Sequence, residues 1–352
     1  MTGRRIVAVV KSPRAIMSMV TFTVLAVIIY ASRDELFQAW DLLWQANWLL
    51  LALLIPMQFI VYFAGGEMVF SYLRGKKLIG HISRFTQARI DMELNLVNHI
   101  FPSGGASGIS YVTWRLHKLG VSTARSTFAQ VVRYITGFAA YIALLTLSLV
   151  VLAVMGHLNR WVTLAGIGLI AFMSLLSWLI VYVFQSRARM HRAAQVVSRV
   201  VNTVVRAASF GKVRHMLKIN RVEAFFLEMH DDFEELRREK KLLRWPFMWG
   251  MILASVDVMM YVVAFASLGI TVDPAVLMIG YGAAGVAGLF AFTPGGAGVY
   301  EAVMIILLSL SGTPPPLAIA GIVLTRAILM AGTIIFGYIF YQLAILKYGK
   351  RS

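Results

Sequence analysis

Apolar residues in this chain fall into runs long enough to cross a bilayer, and the short segments between them carry most of the charge. A spanning helix needs about 20 predominantly apolar residues. Runs at about 15–31, 48–73, 128–155, 161–184, 245–269 and 317–346 fit that requirement. Two further apolar stretches, 85–116 and 275–310, each contain a helix breaker. The first carries Phe-Pro-Ser-Gly-Gly-Ala at 101–106 and the second Phe-Thr-Pro-Gly-Gly-Ala at 292–297, the same breaker motif 191 positions apart with its proline shifted by one. Proline removes a backbone donor and glycine lowers helix propensity, so each stretch is expected to form a broken or re-entrant helical hairpin. In lipid such a break is tolerated only where it is buried in protein or lines a cavity. Pro102, Gly104 and Gly105, matched by Pro294, Gly295 and Gly296, therefore mark a candidate site where two halves of the chain meet.

The pattern predicts an all-α polytopic membrane protein with six full spanning helices plus two hairpins. Three regions are expected: an N-terminal membrane half over 1–184, a linker over 185–244 and a C-terminal membrane half over 245–352. Composition agrees, with 59% hydrophobic and 14% charged residues in a chain of 352, and a mean hydropathy of +0.75. The first run follows Arg4, Arg5, Lys11 and Arg14, as a signal peptide also would. Ile29 and Ala31 before Ser32 make a poor cleavage site, so an uncleaved first helix is expected.

The net charge of +17 would suggest nucleic acid in a soluble protein. Placed between apolar runs, it reads instead as a topology signal. With the N-terminus in the cytoplasm, and each hairpin returning to the side it entered from, 29 of the 33 Lys and Arg fall on the cytoplasmic side. Both termini are then cytoplasmic, in an inner (plasma) membrane. The two units enclosing the hairpins have opposite orientations, an inverted-topology repeat suited to alternating access.

Charged residues inside the apolar runs repeat as well. Glu67 precedes Gly104 by 37 residues and Asp257 precedes Gly295 by 38; Arg133 follows Gly104 by 29 and Arg326 follows Gly295 by 31. A charge at mid-bilayer costs about 2.5–3.5 kcal/mol on insertion scales, so these groups should pair or face water. The expected arrangement is a polar chamber in which Arg133 and Arg326 attract an anionic headgroup while Glu67 and Asp257 hold them in place or titrate. Structural ion pairing alone is the plainer alternative. Helices starting after each Gly-Gly would turn their positive ends toward the same anion. Glu301 has no acidic counterpart at Ser110 or Tyr111; it could gate the site, or cap and pair locally. Asp91 and Glu93 are expected to pair near the interface with Arg84 and Arg89.

The linker holds fourteen basic and seven acidic residues. It reads either as a contact for anionic lipid or, more plainly, as a solvated connector. No cysteine is present, which excludes disulfides and thiol chemistry, and the seven histidines lack metal-ligand spacing. No cofactor, metal or catalytic constellation is expected. The Gly-Gly motifs follow no strand and precede no Gly-Lys-Ser/Thr, so they are not nucleotide loops.

Ala-Gln-Val-Val-Arg-Tyr around Arg133, Val-Leu-Thr-Arg-Ala around Arg326, and Phe-Thr-Pro-Gly-Gly-Ala-Gly-Val-Tyr-Glu at 292–301 resemble the lysylphosphatidylglycerol synthase transmembrane family. The likeness runs from about residue 15 to 345 and rests on the order and spacing of the motifs. It implies a flippase for an aminoacylated phospholipid, in a stand-alone form without the soluble synthase domain and without enzyme activity. Ser107, Ser110 and Tyr111 stand where relatives often carry an acid after the first break. Phospholipids, aminoacyl-phospholipids and polyprenyl-phosphate carriers are the candidate cargoes. Membrane lipid headgroups are the expected partners, with a homodimer among the expected assemblies and no nucleic acid. An ion-coupled transporter of a small soluble anion, and a membrane subunit presenting lipid to a separate enzyme, are the competing readings.

Overall fold

The computed structural model describes residues 44–100, 106–157, 159–208, 219–291, 296 and 298–348. The expected first span at 15–31 lies outside them, as do Pro102, Gly104, Gly105, Pro294 and Gly295. Among the described residues the regular structure is helical and there is no strand.

The first described helix is α1 (Trp48–Ala52), which runs at Leu53 into α2 (Leu54–Gly75). Asn47 starts α1 by accepting Leu49 N at 3.0 Å, as an N-cap should. The first hairpin stretch forms α3 (Arg84–Ile100) and α4 (Ala106–Lys118), which pack on one another. α5 (Thr123–Val154) follows, capped by Ser122 Oγ, which accepts Arg125 N at 3.2 Å. α6 (Arg160–Phe184) is capped by Asn159, whose amide also donates to Leu310 O at 2.6 Å.

Two polar helices come next, α7 (Arg187–Ala208) and α8 (Ile219–Arg238), packed together. α9 (Arg244–Ser267) re-enters apolar sequence. The second hairpin stretch forms α10 (Pro274–Leu289) and α11 (Val299–Leu310), and α12 (Pro315–Tyr348) is the last described helix. Pro274 sits in the first turn of α10 with Asp273 as its cap, the position a helix tolerates proline best.

Five described helical stretches are long and apolar enough to cross a membrane: Trp48–Gly75, Thr123–Val154, Arg160–Phe184, Lys240–Ser267 and Pro315–Thr333. The protein is a multi-pass membrane protein. In a bilayer the helices gain little from burying apolar surface against each other, because lipid is equally apolar. Their mutual packing and internal polar contacts must hold the arrangement.

The packing is reciprocal. α2 and α9, the helices preceding the two hairpins, form the most extensive pair. α3, the first arm of the first hairpin, packs on α12, while α10, the first arm of the second, packs on α5. Each hairpin stretch thus leans on the helix that follows the other one. The two ends of the bundle differ as well. The α5–α6, α9–α10 and α11–α12 turns converge on a basin lined by Gly156, His157, Asn159, Thr271, Asp273 and Thr313, among other residues, with no Lys or Arg in its lining. The opposite end carries the α2–α3 and α4–α5 turns together with α7 and α8, and an apolar cluster there joins Ile79, Leu116, Val121, Phe184, Met190 and Met229.

Candidate functional site: a charged chamber between the two halves

A cavity of about 570 Å³ opens between α2, α3, α5, α9, α10, α11 and α12. Its lining brings together Asp91, Arg133, Asp257, Glu301 and Arg326 with Gln58, Tyr62, Tyr261, Tyr281, Tyr300 and Thr333. Four of the five charged site candidates read from the sequence (Arg133, Arg326, Asp257 and Glu301) therefore reach one space. Glu67 does not line it.

The pairing differs from expectation. Arg133 Nη1 donates to Asp91 Oδ1 at 3.1 Å, and Arg326 Nε to Glu301 Oε1 at 2.9 Å. Glu67 instead pairs with Arg74, two turns further along its own helix, and Arg74 also meets Gln87 of α3. Asp257 accepts a hydrogen bond from the Tyr281 hydroxyl at 2.8 Å. So neither Glu67 nor Asp257 is the carboxylate paired to an arginine in the chamber.

The reason lies in the backbone of α2. Gly65 faces the first hairpin, and a Cβ built there would lie 2.8 Å from Asp91 Oδ2 and 3.0 Å from Arg133 Nη2. The missing side chain leaves room for the Asp91–Arg133 pair against the helix. Asp91, expected to pair near the interface with Arg84 or Arg89, is a chamber residue. Glu93, two positions on, turns away. It accepts Arg89 Nε at 3.0 Å, the Tyr111 hydroxyl at 2.7 Å, and Nε of the fully buried Arg115 at 2.9 Å.

Glu301 does two things at once. Its Oε2 accepts the backbone N–H of Gly298 at 2.6 Å, capping α11, while Oε1 holds Arg326. The positive end of α11 is thus already met by a carboxylate of this chain. The guanidinium of Arg326 also lies over the Tyr300 ring, 4.4 Å from its centroid. The apparent asymmetry between the hairpins then has a simple form. The second hairpin supplies its acid from its second arm, as Glu301, and the first supplies it from its first arm, as Asp91.

Of the breaker residues, Gly296 is described. Its φ of +70° is one that side-chain-bearing residues rarely adopt. A Cβ there would come within 2.9 Å of Gly288 Cα, so glycine is required for the chain to return against the end of α10.

The remaining lining falls into two groups. Gln58 donates to the Tyr62 hydroxyl and to Leu329 O, both at 2.7 Å, and the Tyr62 and Thr333 hydroxyls lie 2.6 Å apart. Tyr261, Tyr281 and Tyr300 form an aromatic wall beside Asp257, with the hydroxyls of Tyr261 and Tyr300 3.2 Å apart. Val323, Ala327 and Met330, spaced on one face of α12, line the cavity and are also exposed at the protein surface. The chamber therefore has an apolar lip along α12. Sequence spacing missed the tyrosines and Gln58 because aromatic and amide residues in apolar helices are usually packing; the signal for Asp91 was its place inside a hairpin stretch. Among the described residues no group of His, Cys, Asp and Glu has the makings of a metal site.

A bundle of apolar helices with paired charges around a shared cavity defines a multi-pass membrane protein with an internal polar site. Residues 6–337 match the family of the lysylphosphatidylglycerol synthase TM region, and the chain belongs to that family. A UPF0104 membrane protein of Methanothermobacter thermautotrophicus is 23% identical over 234 residues, which cover 66% of this chain and 67% of that protein. No solved structure matches the chain.

Proposed function

We propose that the protein is a lipid translocator whose cargo is a phospholipid bearing both a phosphate and an amine, as an aminoacyl-phospholipid does. The observation that carries this reading is the charge pattern of the chamber. Two arginines face three carboxylates, Asp91, Asp257 and Glu301, beside three tyrosine rings. A bare anion would find each arginine already held by an acid. A zwitterionic or cationic headgroup matches both signs: guanidinium has five donors, so a phosphate can dock while the existing pairs persist. The ammonium would then meet Asp257 and the tyrosine faces.

The apolar lip of Val323, Ala327 and Met330 supports a lipid over a small soluble anion, because acyl chains can stay outside while the headgroup enters. The reciprocal contacts of α3 with α12 and α10 with α5 support an inverted repeat that rocks about the α2–α9 pair. In this account the chain has six spans and two hairpins, lies in the inner membrane with both termini cytoplasmic, and performs no covalent chemistry.

The test is a headgroup series in proteoliposomes, using acyl-labelled lipids with and without an amine and following accessibility to a membrane-impermeant quencher. Wild type should move aminoacyl- and amine-bearing phospholipids faster than phosphatidylglycerol, and Asp257→Asn should narrow that preference. Equal rates for all headgroups, or movement of a soluble anion instead, would overturn the assignment.

A further inference from the structure

We infer that α7 is an interfacial arm that docks on the anionic lipid surface beside the basic end of the bundle. Three sets of observations point there. The first concerns depth. α6 ends at Phe184 and α7 starts at Arg187, so α7 begins where a spanning helix leaves the bilayer. On the last turns of α6, Trp178 and Tyr182 stack with centroids 5.2 Å apart, and both are exposed. Such rings favour the headgroup level. Arg189 folds back over Tyr182, with Cζ 4.0 Å from the ring centroid, which ties the first turn of α7 to that depth. His230 of α8 braces the junction, with Nδ1 2.7 Å from Phe184 O.

The second concerns charge. Between Arg187 and Ala208 the helix carries five arginines and a histidine with no acid. The acids of the neighbouring α8 have partners: Asp232 and Glu235 meet Lys76, Glu228 meets Arg125 and Ser122, and Asp231 and Glu223 meet Arg187 and His191 of α7 itself. Arg192, Arg199 and Arg206, two turns apart from one to the next, are exposed.

The third concerns the apolar residues. Met190, Ala194 and Ser198 are buried on one side of the helix, and α7 packs mainly against α8. Val196 and Val200 are nonetheless 56% and 54% exposed, next to the arginine row. A solvated connector has no use for bare valines alternating with arginines. A leaflet accepts both, valines at the acyl boundary and arginine heads among phosphates.

The chain contains no cysteine, so a single reporter can be placed cleanly. Val200→Cys, carrying an environment-sensitive fluorophore, is reconstituted in vesicles of zwitterionic lipid with increasing phosphatidylglycerol and nitroxide-labelled lipid. Quenching should rise with the anionic fraction and fall with added salt. Arg199→Gln should require more anionic lipid for half-maximal quenching, equivalent to about a fivefold loss of affinity, whereas Arg199→Lys should not. A second reporter at Val196 guards against a local effect of the label. Quenching that is the same in zwitterionic and anionic vesicles, whether high or absent, overturns the inference. So does shielding of the reporter that requires a soluble partner. No step of this test depends on transport, so it stands or falls separately from the proposed cargo.

Discussion

Glu301 gives the sharpest test of how the chamber is held together, because its two oxygens serve two separable purposes. Oε2 caps α11 through Gly298 N at 2.6 Å and Oε1 binds Arg326 at 2.9 Å. Glu301→Gln keeps an acceptor for the cap and removes the charge. The pair is partly accessible, with side chains 25% and 21% exposed, so its loss should cost about 1–2 kcal/mol rather than the larger figure for a fully buried pair. Glu301→Ala removes the cap as well, adding about 1 kcal/mol. Arg326→Gln should cost about as much as Glu301→Gln, plus the lost contact with the Tyr300 ring, which is worth about 0.5–1 kcal/mol. The double variant Glu301→Gln/Arg326→Gln should then be less destabilised than the sum of its parents, by a coupling of about 1–2 kcal/mol. The assay is reversible unfolding of the purified protein in mixed micelles, fitted for all four members of the cycle. Additivity within about 0.5 kcal/mol would refute the pairing, and equal losses for Glu301→Gln and Glu301→Ala would refute the cap.

Three further outcomes follow from named contacts. Gly65→Val should displace Asp91 from Arg133, since even a Cβ at that site lies 2.8 Å from Asp91 Oδ2; transport should drop while the helix content measured by circular dichroism is retained. Gly332→Ala would put a Cβ against Gln58 Oε1, forcing Gln58 off Tyr62 and Leu329 O, with an expected loss of about 1–2 kcal/mol in the same micelle assay. Arg115→Met takes from the fully buried Glu93 one of its two arginines, leaving Arg89 and the Tyr111 hydroxyl on it, and should cost about 1–3 kcal/mol; adding Glu93→Gln should recover part of it, as read from yield and unfolding midpoint.

The helices were largely legible in the chain because a bilayer makes the signal coarse: length and hydropathy alone mark a span. The apolar run at 128–155 corresponds to Thr123–Val154 and that at 161–184 to Arg160–Phe184, each starting a little earlier because Ser122 and Asn159 supply the caps. The chamber was legible in part. Arg133, Arg326, Asp257 and Glu301 stood out as charges inside apolar sequence, and the cavity collects all four. Their partners were not legible, because equal spacing from a breaker says nothing about which helix face a residue occupies. Glu67 points along α2 to Arg74, and the space at Gly65 admits an acid from a different helix. Asp91 looked interfacial because it stands close in sequence to Arg84 and Arg89; only the packing of α3 against α2 and α12 carries it inward. The tyrosine wall has no sequence signature apart from its geometry.

The most direct test of the central claim compares wild type with the double variant Arg133→Gln/Arg326→Gln in proteoliposomes, measuring transbilayer movement of an aminoacyl-phospholipid. Both proteins must first show the same reconstituted amount and the same helix content. Wild type should move the lipid, and the rate should fall at least about tenfold in the double variant, because a phosphate–guanidinium contact worth roughly 1.5–3 kcal/mol per arginine is lost. Undiminished movement by the double variant would contradict the claim.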